Sequence, residues 1–135
     1  MAYGADGPRV DDAKATDLKP VPDPDDALTR PFWAAAAEGR LVVQQCDACR
    51  RFHHPPVGIC PQCLTSALRF VPVSGRGHVY SFVVVKDQRL PAFDRLMPYI
   101  VASVELDDAP GVMLLSNIPG TPVDQVRSGM QVRVD

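Results

Sequence analysis

Apolar and polar residues follow different patterns along the chain, and the first segment is the most polar. Residues 1–27 contain seven Asp, four prolines and few apolar residues. Such a segment cannot bury enough apolar surface to offset the entropy lost on ordering it. We therefore expect residues 1–27 to be a disordered linker or tail.

A short helix and a lead-in strand are predicted over residues 28–44. Pro31 fits the first helical turn, the alanines that follow favour helix, and Gly39 can end it in a left-handed conformation. Thr29 is predicted to cap the first free backbone N–H groups. The pattern then changes to a strand over residues 40–45.

Two aromatic residues make this helix a docking element. Phe32 and Trp33 are its only large apolar side chains, and alanines fill the remaining apolar positions. The helix must therefore dock its aromatic residues on something else, either its own domain or a partner surface.

Residues 45–73 alternate tight turns with short strands. Each turn is centred on a pair of cysteines, and residues 68–73 form the strand that follows the second pair. Turn, short strand, turn and strand is the layout of a rubredoxin-like zinc ribbon, which we predict for residues 45–73.

The last part of the chain is rich in β-branched and aromatic residues, which predicts strands over 78–86, 99–106, 112–116 and 130–135. A turn of helix is predicted at Thr121, before the last strand. Five or so antiparallel strands with one small helix predict a small, partly open OB-fold barrel over residues 74–135. The chain ends at the last strand, so we expect this barrel to be clipped or to be complemented by another segment.

The four cysteines are the strongest chemical signal, because they form the pairs Cys46-x-x-Cys49 and Cys60-x-x-Cys63. Two such turns complete a tetrahedral set of four sulfurs, the geometry that zinc prefers at structural sites. Two disulfides, or free thiols in a core, are the alternatives. Disulfides need an oxidising compartment, and the N-terminus lacks the pattern of a signal peptide. We predict one structural zinc ion bound by all four cysteines, in preference to iron in the same site. His53 and His54 are the alternative ligands, but they are expected to be polar groups beside the site.

The connection between the predicted strands 78–86 and 99–106 is long and apolar. Residues 87–98 contain Leu90, Phe93, Leu96 and Met97. Long connections in compact domains usually carry a function or are disordered, and this one is too apolar for simple disorder. It is predicted to be a lid over the open end of the barrel, an interface, or a wall of an acyl pocket.

Charge is unevenly distributed along the chain. The formal net charge is −2, yet residues 40–95 contain eight basic residues and three Asp. This basic region could attract phosphate groups, or it could be an ordinary solvated face. No apolar run approaches the length of a membrane span, so no membrane partner is expected.

Sequence motifs of catalysis are missing. The chain has no nucleophile elbow, no phosphate-binding glycine loop and no H-E-x-x-H motif. A metal held by four thiolates has no open position for water or substrate. We expect no catalytic residues in this chain.

Single-stranded nucleic-acid binding is the alternative function, because zinc ribbons and OB-type barrels both occur in such proteins. Tyr80 and Phe82 share one predicted strand face and could stack on bases. The slightly acidic chain, with 7% aromatic residues, argues against this function. The basic side chains that could contact phosphates are Arg50, Arg51, His53, His54, Arg69 and Arg76.

A series of short motifs occurs in an order that resembles one known family. The motifs are Arg30-Pro-Phe-Trp33, Glu38-Gly-Arg-Leu41, the two cysteine pairs, Pro55-Pro56, Ser74-Gly-Arg-Gly77, Val79-Tyr-Ser-Phe82, Pro98-Tyr99, Val104-Glu-Leu106 and Gly129-Met-x-Val132. From about residue 29 to the end, the chain resembles the acyl-CoA-associated zinc-ribbon and OB-fold proteins catalogued as domain of unknown function 35.

This resemblance implies a non-catalytic, cytoplasmic accessory subunit or domain that binds a thiolase-superfamily enzyme and supports its acyl-CoA chemistry. In bacterial steroid degradation, the family's partner is a thiolase-like enzyme of the sterol-carrier lipid-transfer type. That enzyme cleaves a steroid side-chain CoA thioester by retro-aldol chemistry. We expect a heterotetramer of two plus two chains, with acyl-CoA at or near the interface and the catalytic residues on the partner.

Two groups of side chains are assigned roles on this basis. The partner-interface candidates are Phe32, Trp33, Leu90, Phe93, Leu96 and Met97. The candidates for contact with CoA phosphates are Arg50, Arg51 and Arg76.

The chain departs from the family pattern in two places. Arg50 stands after the second cysteine of the first pair, where a glycine is common. The chain also ends where family members usually continue through further strand residues. Together with the polar first segment, this suggests a domain of a longer protein, with residues 1–27 as the junction to a preceding hydratase domain.

Overall fold

One short helix precedes seven strands in the structure, a computed structural model that describes residues 21–87, 93 and 96–134. Over these residues the fold is mainly β, as predicted. The elements are α1 (Arg30–Ala37), β1 (Val42–Cys46), β2 (Phe52–His53), β3 (Leu68–Pro72), β4 (Arg76–Val85), β5 (Tyr99–Leu106), β6 (Met113–Asn117) and β7 (Gln131–Arg133).

Helix α1 lies where the alanines and Pro31 predict it, and Gly39 follows it with a φ of 72°. The prediction that Thr29 caps the helix through its side chain is wrong. Its backbone is already helical, and its hydroxyl donates a hydrogen bond to Asp26 Oδ2 at 2.6 Å instead of accepting one from the helix. The Thr29 hydroxyl is therefore bonded to Asp26 and does not cap the helix.

The first sheet contains three antiparallel strands in the order β2-β1-β3. Its central strand β1 is buried along its whole length. This sheet places the two cysteine turns at one end: Cys46 is the last residue of β1 and pairs with Leu68, the first residue of β3.

The second sheet contains four antiparallel strands in the order β6-β5-β4-β7 and curls into a half-barrel. In β5, buried residues alternate strictly with half-buried ones, so every second side chain faces the inside of the curl. A β-bulge in β4 between Val79 and Ser81 breaks the register with β5 and helps the sheet to bend. This half-barrel is consistent with the predicted OB fold.

Two apolar clusters form the core. The first fills the half-barrel and is built around Val79, Ile100, Ala102, Val104 and Val126. The second joins the two sheets, because Val43 of β1 packs with Leu106 of β5 and with Ala109 and Val112 in the turn after β5. The three-stranded sheet and the half-barrel therefore share apolar contacts.

Two predictions about the half-barrel differ from the structure. The predicted turn of helix at Thr121 is wrong: residues 121–130 form turns, and the backbone N–H of Gln125 bonds to the carbonyl of Pro122 over a single turn. A single turn followed by Gly129 is too short to propagate a helix. The described part of the barrel has four strands rather than five.

Residues 1–20 of the predicted tail lie outside the described residues, and 21–27 contain turns but no helix or strand.

None of the helices in the described part of the chain is long and apolar enough to span a membrane.

Candidate metal centre and its surroundings

The four cysteines come together as the sequence predicts. Their Sγ atoms all lie within 4.8 Å of one another. Cys46 Sγ is 3.5 Å from Cys63 Sγ, and Cys49 Sγ is 3.6 Å from Cys60 Sγ. At a Zn–S bond of about 2.3 Å, a regular tetrahedron has S···S edges of about 3.8 Å. The four sulfurs are thus positioned to bind one small metal ion, and their number and geometry are consistent with zinc.

Both cysteine turns have the same backbone hydrogen bonds. The N–H of Cys46 bonds to Arg51 O at 2.9 Å, and the N–H of Arg50 bonds to Cys46 O at 3.0 Å. The N–H of Cys60 likewise bonds to Thr65 O, and the N–H of Leu64 to Cys60 O. The two turns are therefore copies of one local structure.

That local structure forces one residue of each turn into the left-handed region. Arg50 has a φ of 63° and Leu64 a φ of 60°, and both follow the second cysteine of their pair. Glycine adopts this conformation without steric cost, whereas a residue with a Cβ is destabilised there by about 1–2 kcal/mol. The predicted departure at Arg50 thus marks a strained position, and Leu64 is a second one.

Two buried glutamines hold the turns in place, and their role was not predicted. The side-chain amide of Gln44 bonds to Val57 twice, donating to its O at 3.0 Å and accepting from its N–H at 2.8 Å. Gln45 Nε2 donates to Arg50 O at 3.0 Å. Two consecutive glutamines in an otherwise apolar buried strand were the available signal, because a buried amide needs hydrogen-bond partners.

The four thiols affect one another's ionisation. The pKa of Cys46 is lowered to about 7, chiefly because the backbone N–H of Cys49 donates a hydrogen bond to its sulfur. The backbone N–H of Thr65 also favours the thiolate of Cys63, but desolvation and the neighbouring thiols outweigh it and raise the pKa of Cys63 to about 12. Four negative sulfurs this close together need a cation to balance their charge. The donor set therefore fits a divalent, thiophilic metal.

The two adjacent histidines lie outside the sulfur cluster, as expected. In the described part of the chain, only the four cysteines form a group that could hold a metal ion. His53 Nε2 and His54 Nδ1 are buried and have no hydrogen-bond partner there. Burial lowers the pKa of His54, so its ring is held in the neutral form.

The aromatic residues of α1 divide between the chain itself and solvent. The ring of Phe32 packs on His54, with 5.1 Å between centroids, and on the edge of Trp33 at 5.0 Å. Trp33 is 45% exposed. Phe32 thus anchors α1 to the three-stranded sheet, and Trp33 lies on the surface.

The other predicted interface residues are near the start of β5. Phe93 stacks on Tyr99 with 6.0 Å between ring centroids, Met97 is half-buried, and Leu96 is 40% exposed. Leu90 lies outside the described residues.

Two of the three predicted phosphate-binding arginines share an open cleft. Arg50 and Arg51 line a cavity of about 380 Å³ together with Phe52, Pro110 and Gly111. Pro110 and Gly111 belong to the turn after β5. Arg76 is at the other end of that turn, where the carbonyl of Arg76 accepts a hydrogen bond from the N–H of Asp107. The structure thus places two of these arginines side by side and the third beyond the turn.

Tyr80 and Phe82 do not form the stacking platform that nucleic-acid binding would require. Phe82 packs against the core of the half-barrel, whereas Tyr80 is 60% exposed. The bulge after Val79 separates the two side chains, because it shifts the alternation of the strand. Arg69 is also engaged, in an ion pair with Asp47 at 2.9 Å.

These features define a class of protein: a mainly β chain in which a four-cysteine zinc-ribbon site is joined to an OB-type half-barrel. Two family descriptions match adjacent parts of it, "ChsH2, rubredoxin-like zinc ribbon domain" over residues 33–69 and "ChsH2, C-terminal OB-fold domain" over residues 70–135. A "DUF35 domain-containing scaffold protein" of Methanothermobacter thermautotrophicus is 30% identical over 70% of this chain and 69% of its own length. The chain belongs to the DUF35 family.

Other relatives carry names of acyl-CoA enzymes. A "probable enoyl-CoA hydratase alpha subunit" of Thermomonospora curvata is 42% identical over 77% of this chain. The "3-oxo-4,17-pregnadiene-20-carboxyl-CoA hydratase alpha subunit" of Mycobacterium tuberculosis is 35% identical over 80% of it. The chain spans only 32% and 36% of the lengths of these two proteins, about a third in each case. "Benzoylsuccinyl-CoA thiolase subunit BbsA" of Thauera aromatica is 28% identical over 77% of this chain.

A solved structure has the same fold over most of its length. A chain of the "Ltp2-ChsH2(DUF35) aldolase" superposes with a TM-score of 0.75 at 36% sequence identity, covering 87% of both chains.

Proposed function

We propose that the protein is a non-catalytic accessory subunit or domain that binds a thiolase-superfamily enzyme and supports its acyl-CoA chemistry. The observation that carries this proposal is the match, over 87% of both chains, to a chain of the Ltp2-ChsH2(DUF35) aldolase. The names of the relatives support it, since they describe a scaffold protein and subunits of hydratases and of a thiolase.

The metal's role in this proposal is structural. One zinc ion bound by Cys46, Cys49, Cys60 and Cys63 would neutralise the thiolates and join the two turns. Iron in the same four-sulfur site is the alternative, and an iron-loaded sample would be coloured. In either case four sulfurs leave no coordination position for substrate, so the reacting groups would belong to the partner.

The proposed partner interface combines α1 with the segment before β5. Trp33 presents an aromatic side chain that is 45% exposed, and Leu96 is 40% exposed. Exposed aromatic side chains are enriched among the residues that contribute most to protein interfaces. Phe32, Phe93 and Met97, which are half-buried, complete the proposed surface. Leu90 lies outside the described residues and stays a predicted member.

The cleft at Arg50 and Arg51 is the proposed contact for CoA phosphates. Arginine forks bind phosphate oxygens in pairs of hydrogen bonds. Within the described residues neither arginine forms an ion pair of its own, so both guanidinium groups are available to an anion. Phe52 supplies an apolar wall beside them, and Arg76 would contribute charge from the far end of the turn.

The finer proposal concerns the reaction, which we take to be retro-aldol cleavage of a steroid side-chain CoA thioester. The aldolase and the pregnadiene-carboxyl-CoA hydratase among the similar proteins support this substrate class. The assembly would be a cytoplasmic heterotetramer of two plus two chains, in which acyl-CoA binds at or near the interface.

Co-purification tests the association. The tagged chain should bring down a thiolase-superfamily enzyme of its source organism, identified by mass spectrometry. Light scattering on the purified complex should give the mass of two plus two chains.

Trp33→Ala should weaken association at least about ten-fold, as expected for a central aromatic residue. The matched control Val83→Ala removes another exposed apolar side chain, on β4, and should not. Binding of single-stranded DNA that weakens steeply with salt, in place of this enzyme, would favour the alternative function.

A further inference from the structure

The half-barrel has an open seam between its two outer strands. In the order β6-β5-β4-β7, strands β6 and β7 each have one neighbour among the described residues. A cavity of about 580 Å³ lies between them. We call this opening the seam.

The floor of the seam is apolar, and its sides are formed by residues of β6, of β7 and of the segment 118–121 that follows β6. Val104, Leu106, Leu114 and Val132 supply the floor, from three strands of the sheet. The residues of β7 and Val134 also line the cavity, as do Ser116 and Asn117 of β6. An occupant would therefore meet apolar side chains below and main-chain edges on both sides.

Hydrogen-bond alternation shows which main-chain groups point into the seam. The N–H of Leu106 bonds to Val112 O, which places the next bonded pairs of β5 and β6 two residues further on. The N–H groups of Met113, Leu115 and Asn117 then point away from β5. On β7, the N–H of Val134 bonds to Gly75 O. By the same alternation, the N–H groups of Gln131 and Arg133 point away from β4.

The size of the seam matches one strand. Antiparallel pairing along β6-β5-β4-β7 makes β6 and β7 run in opposite directions, so one strand between them would be antiparallel to one and parallel to the other. At about 3.3 Å per residue, about 4.8 Å between strands and about 10 Å between packed faces, one strand residue occupies about 160 Å³. The cavity of about 580 Å³ therefore corresponds to about four strand residues, comparable to the lengths of β6 and β7.

We infer that the seam accepts one extended segment of the partner enzyme, which adds as a strand beside β6 or β7 and closes the barrel. This inference rests on the proposed function for the partner's identity. The segment has apolar residues at alternate positions, because only every second side chain faces the floor. An acyl group could cover the floor, but it could not form hydrogen bonds with the free main-chain N–H groups of β6 and β7.

Amide hydrogen exchange tests the inference on the full chain. In the free protein, the amides of Met113, Leu115, Asn117, Gln131 and Arg133 should exchange quickly, and those of Leu114 and Val132 slowly. Adding the purified thiolase-superfamily partner should slow exchange at alternate positions of β6, of β7 or of both. If the complex forms and these amides stay fast, the inference fails while the proposed function stands. If no complex forms, the proposed function fails.

Two other occupants give different results. Decanoyl-CoA, added without the partner, would shift the methyl signals of Leu114 and Val132 and leave the edge amides fast if the seam were an acyl site. Protection that rises with protein concentration in the absence of the partner would indicate a second copy. Either outcome would overturn the inference.

Proline substitutions on the free edges test the same bonds. Arg133→Pro and Leu115→Pro remove N–H groups that the described sheet does not use, so the fold should tolerate them. The variant on the strand that pairs with the partner segment should lower partner affinity about five- to ten-fold, the value of about one hydrogen bond. The controls Arg133→Ala and Leu115→Ala keep the N–H and should bind as the wild type. Slow exchange at Ile100 confirms that a proline variant is folded. Folded proline variants that bind as tightly as the wild type would contradict the inference.

Discussion

The three-stranded sheet with its cysteine turns and the half-barrel are held together by different forces. In the half-barrel, strict alternation along β5 places Ile100, Ala102 and Val104 in an apolar core. Apolar residues project outward at the second cysteine turn, where Ile59 is 58% and Leu64 78% exposed. Its cohesion instead comes from four sulfurs and from hydrogen bonds to buried glutamines. The cysteine turns bury few apolar side chains of their own, so we expect them to depend on a bound metal and the half-barrel not to.

Removing a sulfur should have the largest effect and should separate the two regions. Metal binding in zinc-finger peptides contributes about 10–16 kcal/mol, which exceeds the stability of most small domains. Cys60→Ser, at a buried ligand, should therefore unfold the turns and loosen β1–β3. Amide exchange should become fast at Gln44 and Gln45, while Ile100 stays protected.

A chelator should reproduce this result in the wild type, and added zinc should reverse it. Simultaneous loss of protection throughout both regions would show that the cluster around Val43 makes them one cooperative unit. Unchanged protection at Gln44 would contradict a structural role for the metal.

A substitution at Gly77 should have the next largest effect, on the half-barrel. A Cβ at this position would collide with the carbonyl oxygen of Glu105 on the neighbouring strand. Gly77→Ala should cost about 2–3 kcal/mol of unfolding free energy, as for other over-packed sites, and leave the metal content of the wild type unchanged. Gly58→Ala is the matched control, because nothing lies within 4 Å of its added Cβ. Denaturant titration with zinc analysis measures both effects, and equal stabilities of the two variants would contradict this close approach.

Relief of strain at Leu64 should give a smaller effect of opposite sign. Leu64→Gly removes a left-handed conformation that costs about 1–2 kcal/mol and loses little burial, although glycine also increases the entropy of the unfolded chain. The net expectation is a stabilisation of about 0.5–1 kcal/mol, measured as tighter resistance to a chelator. Leu64→Ala keeps the Cβ and should show no gain. If the glycine variant loses its metal to the chelator more readily than the alanine variant, the leucine side chain itself stabilises the turn.

The smallest expected effect is a pH dependence from His54. Burial lowers the pKa of His54 in the folded protein, so below about pH 6.5 the unfolded chain binds a proton that the folded chain does not. Stability should therefore fall as pH is lowered through that value, and His54→Phe should flatten this part of the profile. Zinc content measured at each pH separates this effect from metal loss. An identical profile for the variant would contradict it.

The cysteine spacing and the strand patterns allowed the four-cysteine cluster and the order of elements to be predicted, because both depend on residues close in sequence. Thr29 was misassigned because a hydroxyl can bond in more than one direction, and Asp26 competes for it. The helix at Thr121 failed because cap residues give no helix without a following stretch that can propagate it.

Other features depend on contacts between distant parts of the chain. The cluster that joins Val43 to Leu106 follows from how the two sheets meet. The bulge that separates Tyr80 from Phe82 follows from the bending of β4 against β5. Neither has a local sequence signature, so the stacking platform was predicted from a strand that was assumed to be regular.

Acyl-CoA turnover by the reconstituted complex tests the central claim most directly. Initial rates are measured for the purified partner alone, for the zinc-loaded chain alone and for the two together. We predict turnover by the complex, none by the chain alone, and a rate with Cys60→Ser that falls to that of the partner alone. Turnover by the isolated chain, or a partner that works at full rate without it, would contradict the account.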